Sequence, residues 1–230
     1  LLMWNCRKTY LKDLAAKGVA IVPTVFVEPD NKTACLTSIL KDNGWSEAVV
    51  KPMVGLATFG VRKVSLNPAD EQADQEHLQE LLTKGTVLVQ QFMPAVKSTG
   101  ERSLSYINGK FSHAVRKAPF QKLAVAGEAG EQPAIAAADE LATAADILNT
   151  LPVVPLYARV DLIRDLSDKP VLMELELIEP SLFLSLDASS PARFAAALMS
   201  VRAELKATEN LQPGSTSTAT VQPRLTDGRS

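Results

Sequence analysis

The sequence predicts an α+β protein built as two lobes, and three observations lead there. Strand-like apolar runs and helix-period segments are mixed along the chain, without the strict strand–helix alternation of a parallel sheet. Neighbouring strand candidates are joined by short turn signals, clearest at Asn108-Gly109, the mark of antiparallel hairpins. Finally, 230 residues with 46% hydrophobic content can bury the core of one large domain or two small ones.

The elements follow in order. Residues 8–17 place Leu11, Leu14 and Ala15 at helical spacing, with Gly18 just past the helix end. The run 21–27 is β-rich, and Pro23 confines it to a strand start or a sheet edge. A second helix spans 33–43 and is closed by Asn43-Gly44. Residues 48–52 form a short apolar strand with a hairpin return over 60–64, then 70–84 is a polar helix and 86–92 a strong strand. In the second half, 103–107 and 110–116 flank the Asn108-Gly109 turn, and the Ala, Gly and Glu content of 121–133 predicts a mobile loop. An Ala-rich helix over 136–149 precedes strands at 156–163 and 171–178, joined by the polar stretch 165–170. The last helix spans 191–205, and from about 208 a Pro, Gly, Ser and Thr-rich composition predicts a disordered tail. The chain shows no internal repeat.

Bulk properties narrow the function. The net charge is -2 and the pI near 5.8, so the basic excess that phosphate-backbone binding needs is lacking, and nucleic acid is not expected as a main partner. Cys6 and Cys35 have no CxxC spacing and read as buried, reduced thiols. No apolar run approaches the ~20 residues of a bilayer span, and the first residues lack the charged region of a signal peptide. A soluble, cytoplasmic protein without membrane partners is the expectation, and the start at Leu1 reads as a fragment of something longer.

Three constellations carry chemistry. Glu174 and Glu176, two residues apart on one strand, share a face, and Asp161 joins them if the two late strands pair as antiparallel neighbours. Three hard carboxylate oxygens suit magnesium together with nucleotide phosphates. The alternative is an ordinary amphipathic strand, with its glutamates in water and Leu175 and Leu177 in the core; Arg159 and Asp161 on one face of the opposite strand weigh against it. Lys51 leaves a buried strand into a loop bearing Gly55, Thr58 and Gly60, where backbone N–H groups and the ammonium can meet phosphate. Gln90, Gln91, Phe92 and Met93, followed by Gly100 and Glu101, form either a hinge where a purine could lie or a plain interdomain connection. His113 and His77 have no metal or catalytic companions nearby and read as structural or solvent-facing. The GxSxG, HExxH and GxGxxG signatures are all absent.

Taken in order, these pieces resemble the ATP-grasp superfamily, in the branch similar to prokaryotic glutathione synthetase and to cycloserine-forming ATP-grasp ligases. The matching segments are Trp4-Asn5-x-x-Lys8-x-Tyr10-Leu11, Val49-Val50-Lys51-Pro52, Val89-Gln90-Gln91-Phe92, Gly100-Glu101-x-Ser103, Tyr157-Ala158-Arg159-Val160-Asp161 and Met173-Glu174-Leu175-Glu176 through Ser181. The resemblance implies two α+β lobes holding ATP between antiparallel sheets: 1–92 with the phosphate loop, 93–207 with the metal site, and 208–230 as a tail. It implies ATP and magnesium (or manganese) as cofactors, with Lys8 and Lys51 on the phosphates, Thr58 in the covering loop and Gln90, Gln91, Phe92, Met93 and Glu101 around the nucleotide. Asp161, Glu174 and Glu176 would hold the metal, with Glu176 standing where relatives often carry asparagine, and Arg159 would sit near the acyl-phosphate oxygens as the catalytic group.

The reaction so implied is an ATP-dependent carboxylate–amine ligation or cyclisation, through an acyl phosphate, on small amino-acid-like carboxylate and amine substrates; relatives are often homodimers. A different reading, a catalytically weakened protein that still binds nucleotide and metal, rests on two departures: no arginine follows Lys117 before Gly127, and the domain that precedes this fold in relatives is expected to be lacking. The loop at 56–59 is also bulkier than the usual small-residue version. A purely structural metal domain would leave Lys8 and Lys51 without a role.

Overall fold

The computed structural model describes residues 1–31, 33–55, 59–117 and 130–210, with side chains described as far as 207. Two antiparallel sheets organise them. The first contains β1 (Thr24–Val27), β2 (Glu47–Pro52), β3 (Arg62–Ser65) and β4 (Val87–Gln91) in the order β1-β4-β2-β3. The second contains β5 (Glu101–Ile107), β6 (Lys110–Lys117), β7 (Glu131–Ala134), β8 (Tyr157–Arg164) and β9 (Pro170–Glu176) in the order β7-β6-β5-β8-β9. Every strand pair is antiparallel, as hairpin-rich patterning predicts.

Helices cover these sheets according to their apolar faces. On the first sheet, α3 (Leu36–Asp42) and α4 (Glu71–Leu82) bury Leu36, Leu40, Leu78, Leu81 and Leu82 against Val50, Val87 and Val89. Strand periodicity sends Leu88 to the opposite face. There it joins the second core, with Leu104, Val160, Leu162 and Leu175 from the sheet, Ala144 and Ile147 from α5 (Ala138–Asn149), and Tyr10, Leu11 and Leu14 from α2 (Tyr10–Ala16). A third cluster of Val22, Phe92, Met93, Val96, Ile163 and Val171 ties the end of β4 to β8 and β9.

The N-terminal segment does a further job. As the last strand of its sheet, β9 would expose an unpaired edge. Asn5, at the end of the short helix α1 (Leu2–Asn5), donates to the Leu175 carbonyl at 2.9 Å and accepts from the Leu177 N–H at 2.8 Å. Tyr10 Oη accepts from the Leu175 N–H at 2.8 Å. Further along, Leu172 N–H donates to Ala20, and its carbonyl accepts from Val22.

Several expectations need correction. The β-rich run 21–27 is split at Pro23: Ile21 bridges Leu172 of the second sheet, while β1 begins at Thr24 as an edge of the first. The second helix starts at Leu36 rather than 33, because Thr33 is taken up in a turn with Asn31. Residues 131–133, expected in a loop, lie in edge strand β7; positions 121–129 of that loop fall outside the described residues. Both cysteines are free but exposed, not buried. The last helix, α6 (Ser190–Asn210), runs past 207, and the rest of the expected tail lies outside the described residues. The Asn108-Gly109 turn has φ of 48° and 72°, the double left-handed geometry of a type I′ hairpin.

Candidate functional site

Register places the ionisable residues. Asp161 on β8 stands opposite Glu174 on β9, and Arg159 stands opposite Glu176. On the other side of β8, β5 sets Ser103 beside Asp161 and Ser105 beside Arg159. Directly opposed Cβ atoms lie about 5 Å apart, so one polar face forms across three strands. Among the described residues, carboxylate oxygens of Asp161, Glu174 and Glu176 come within 4.8 Å of one another. Their apolar neighbours Leu175 and Leu177 are buried, while the two glutamates retain only 23% and 30% side-chain exposure. The glutamates are thus not the solvated face of an ordinary amphipathic strand.

Packed carboxylates need compensation, and in this chain the protein's own cations supply it. Asp161 is fully buried and accepts from Ser103 Oγ at 2.7 Å, from Arg159 Nε and Nη2 at 2.9 and 2.8 Å, and from Lys117 Nζ at 2.9 Å. Arg159 also pairs with Glu176, and Lys117 with Glu101. Glu174 receives Lys8 at 2.7 Å and Lys51 at 3.9 Å. Lys51 comes from β2 of the first sheet, and the Lys8 N–H donates to Met53 just beyond that strand. The cluster therefore joins both sheets. Four carboxylates (Glu101, Asp161, Glu174, Glu176) face four cations (Lys8, Lys51, Lys117, Arg159).

Proton affinities follow from this arrangement. Burial pushes the Glu176 carboxyl up to about 7, with Arg159 pulling the other way. Burial likewise lifts Glu101 to about 7, against the pull of Lys117. Burial would raise Asp161 too, but Lys117 and Arg159 hold it far below the usual carboxylate range. Glu174 is held low by Lys51 and Lys8 despite its burial. Desolvation lowers the Lys51 ammonium, and Glu174 only partly offsets it.

Of the sequence-predicted residues, the structure brings together Lys8, Lys51, Glu101, Arg159, Asp161, Glu174 and Glu176. Gln90, Phe92 and Met93 are buried at the end of β4 and just beyond, and Gln91 is partly so. Gln90 donates to Thr24 Oγ1 at 3.0 Å, and the Phe92 N–H is held by the Glu47 carbonyl. Phe92 and Met93 pack with Ile163 and Val171, the continuations of the acidic strands. Thr58, and the 121–127 stretch that lacks an arginine, lie outside the described residues. Sequence reasoning missed Lys117 and Ser103 as members of the cluster; the Lys-x-Pro motif at 117 was the available signal.

Two antiparallel sheets that meet over a cluster of buried carboxylates and lysines define an α+β architecture with its ionisable residues gathered between the sheets. No family model matches the chain. It is 34% identical over 213 residues to the cycloserine biosynthesis protein DcsG of Streptomyces lavendulae, covering 86% of this chain and 70% of that one. The crystal structure of D-cycloserine synthetase DcsG superposes with a TM-score of 0.75 at 31% identity, covering 86% of this chain and 70% of that chain. More distant folds agree. A D-alanine–D-alanine ligase from Bacillus anthracis complexed with ATP gives 0.63 at 17% identity, with 89% and 68% covered. The ATP-grasp ligase PsnB, complexed with minimal precursor, Mg and ADP, gives 0.58 at 15%, with 84% and 59% covered. The chain belongs to the ATP-grasp ligases, enzymes that couple C–N bond formation to ATP hydrolysis.

Proposed function

We propose that this chain activates a small amino-acid-like carboxylate as an acyl phosphate and passes it to an amine. The observation that carries the proposal is the balanced cluster between the sheets, whose cations can turn to phosphate while its carboxylates turn to metal. Its donor set fits magnesium: three hard carboxylates of two adjacent strands, with oxygens in reach of one ion. Bound there, magnesium supplies charge neutralisation to the transferring phosphoryl group.

The chain's own residues do the rest. Lys8, Lys51 and Lys117 bind phosphate oxygens, Arg159 steadies charge on the phosphoryl group in transfer, and Gln90 to Met93 with Glu101 enclose the nucleotide. The first sheet with its helices (24–92) and the second sheet, with the N-terminal segment docked on β9, act as the two jaws. A substrate carboxylate oxygen forms a bond to the γ-phosphorus, and the bond to the β-phosphate oxygen breaks to release ADP. The amine nitrogen then bonds to the carbonyl carbon, phosphate leaves and the nitrogen loses its proton. Positioning and charge neutralisation are the protein's contribution.

Calorimetric titration of ATP with and without magnesium tests this, followed by ADP release against a panel of amino-acid-like acids and amines. Magnesium-dependent binding that disappears in Lys51→Ala and Glu174→Gln is the expected result. Unchanged affinity in Glu174→Gln would sink the metal assignment, and binding without turnover across the panel would favour the weakened protein.

A further inference from the structure

The mechanism above leaves several buried titratable residues without a part, Asp74, Glu140 and His113 among them. His113 is 6% exposed in the middle of β6, separated from Arg159 by the whole width of β5. Its Nε2 lies 2.8 Å from the Leu182 carbonyl, which also accepts from Ser105 Oγ at 3.2 Å. A carbonyl can only accept, so Nε2 carries the proton. In the neutral ring Nδ1 then accepts from Ser112 Oγ at 2.9 Å, and Ser112 Oγ accepts in turn from Arg193 Nε at 3.0 Å. Every donor in this chain meets an acceptor.

The segment so held lies against Arg159. Arg159 Nη1 donates to the Ser181 carbonyl at 3.1 Å, and the Phe183 ring centre is 5.5 Å from the guanidinium carbon. Phe183 takes φ 50° and ψ 39°, left-handed values that a bulky residue rarely adopts. Such a conformation persists where its surroundings over-determine it, and it concentrates at working sites. Here Arg159 fixes residue 181, His113 and Ser105 fix residue 182, and Arg159 meets the ring of residue 183.

We infer that His113 is a positioning residue for Arg159, acting through the Leu182 carbonyl to seat the 181–183 segment on the guanidinium. Its consequence for turnover rests on the proposed catalytic role of Arg159; the structural coupling does not. Histidine suits the task because its ring carries a donor across β5 that Ser105 alone supplies only at longer range.

The test reads Arg159 directly, as the proton shift of its Nε–H in 15N-labelled protein, assigned by its loss in Arg159→Lys. Phe183→Leu gives the shift without the aromatic ring. His113→Phe should move the Arg159 signal to the Phe183→Leu value, whereas His113→Gln, whose amide reaches where Nε2 was, should keep the wild-type value. If His113→Phe fails to fold, His113→Asn, too short to reach Leu182, is read in the same way. A wild-type signal in the folded Phe or Asn variant, or loss of it in the folded Gln variant, overturns the inference. In the ligation assay, kcat should fall about 10–100-fold in His113→Phe, with KM for ATP unchanged and recovery in His113→Gln. A displaced signal with full turnover would uphold the positioning role and count against Arg159 as the catalytic group.

Discussion

Glu176 shows how much one carboxyl's surroundings can change its use. In water it would be ionised well below neutrality, but burial pushes it to about 7. A metal ligand must give up its proton. Below pH 7 Glu176 is mostly protonated and a proton competes with magnesium; above 7 the competition ends. Magnesium-dependent ATP binding is therefore expected to weaken by up to about tenfold per pH unit as pH falls from 7 to 6. Glu176→Gln should flatten much of that slope, with Glu101, also near 7, supplying the remainder. Calorimetry between pH 6 and 8 decides it, and a profile that is flat in the wild type would rule the assignment out. Lys117 offers a stability counterpart, because its removal leaves Glu101 without its ion-pair partner and Asp161 with only Arg159 and Ser103. Lys117→Met should cost about 1–3 kcal/mol in urea unfolding, the penalty for unsatisfied buried polar groups.

At the scale of elements, the edge of β9 is closed by side chains rather than by another strand. Asn5 makes two hydrogen bonds to the backbone of residues 175 and 177, on either side of Glu176. Asn5→Ala should destabilise the protein by about 1–2 kcal/mol and speed hydrogen exchange at the Leu177 amide more than at strands of the first sheet. Gly100 sets another element. With φ +74°, an added Cβ would meet the Lys117 carbonyl at 2.8 Å, so Gly100→Ala should displace the end of β6 and weaken Mg-ATP binding through Lys117. Sequence patterning made most of these strands legible, since period-two runs and the Asn108-Gly109 turn are local signals. The split of 21–27 between two sheets was not legible, because a continuous apolar run says nothing about which edge each residue meets. Likewise, three of the four cluster cations were readable from motifs around Lys8, Lys51 and Arg159. Lys117 was marked only by the short Lys-x-Pro sequence it opens, and its place in the cluster depends on the register shift between Ser105 and Tyr106 that sets it opposite Glu101. The exposure of Cys6 and Cys35 was hidden for a similar reason, because burial of a small residue depends on what packs over it.

Across the whole molecule, the two sheets meet over a cluster in which four negative and four positive side chains satisfy one another. With the metal and nucleotide seated there as proposed, that balance governs how the ligands enter. Nucleotide alone would draw Lys8, Lys51 and Lys117 toward phosphate and leave buried carboxylates facing each other. Magnesium alone would occupy the carboxylates and strand buried ammonium groups. Each ligand removes the penalty that the other creates, so their binding should be positively coupled. Couplings of about 1–3 kcal/mol, or roughly 5–150-fold in affinity, are ordinary for linked sites, and linkage makes them reciprocal. Once the formation of Mg-ATP in solution is taken into account, magnesium should tighten nucleotide binding by such a factor, and nucleotide should tighten magnesium binding by the same one. Glu174→Gln removes one charge from the balanced set while Lys8 and Lys51 stay, so metal-free ATP should bind this variant as well as or better than wild type, and the coupling should shrink. Titrations of the two proteins with each ligand alone and together close the cycle; a coupling near zero in the wild type would mean that the cluster is a latch between the sheets and not the seat of the metal–nucleotide complex.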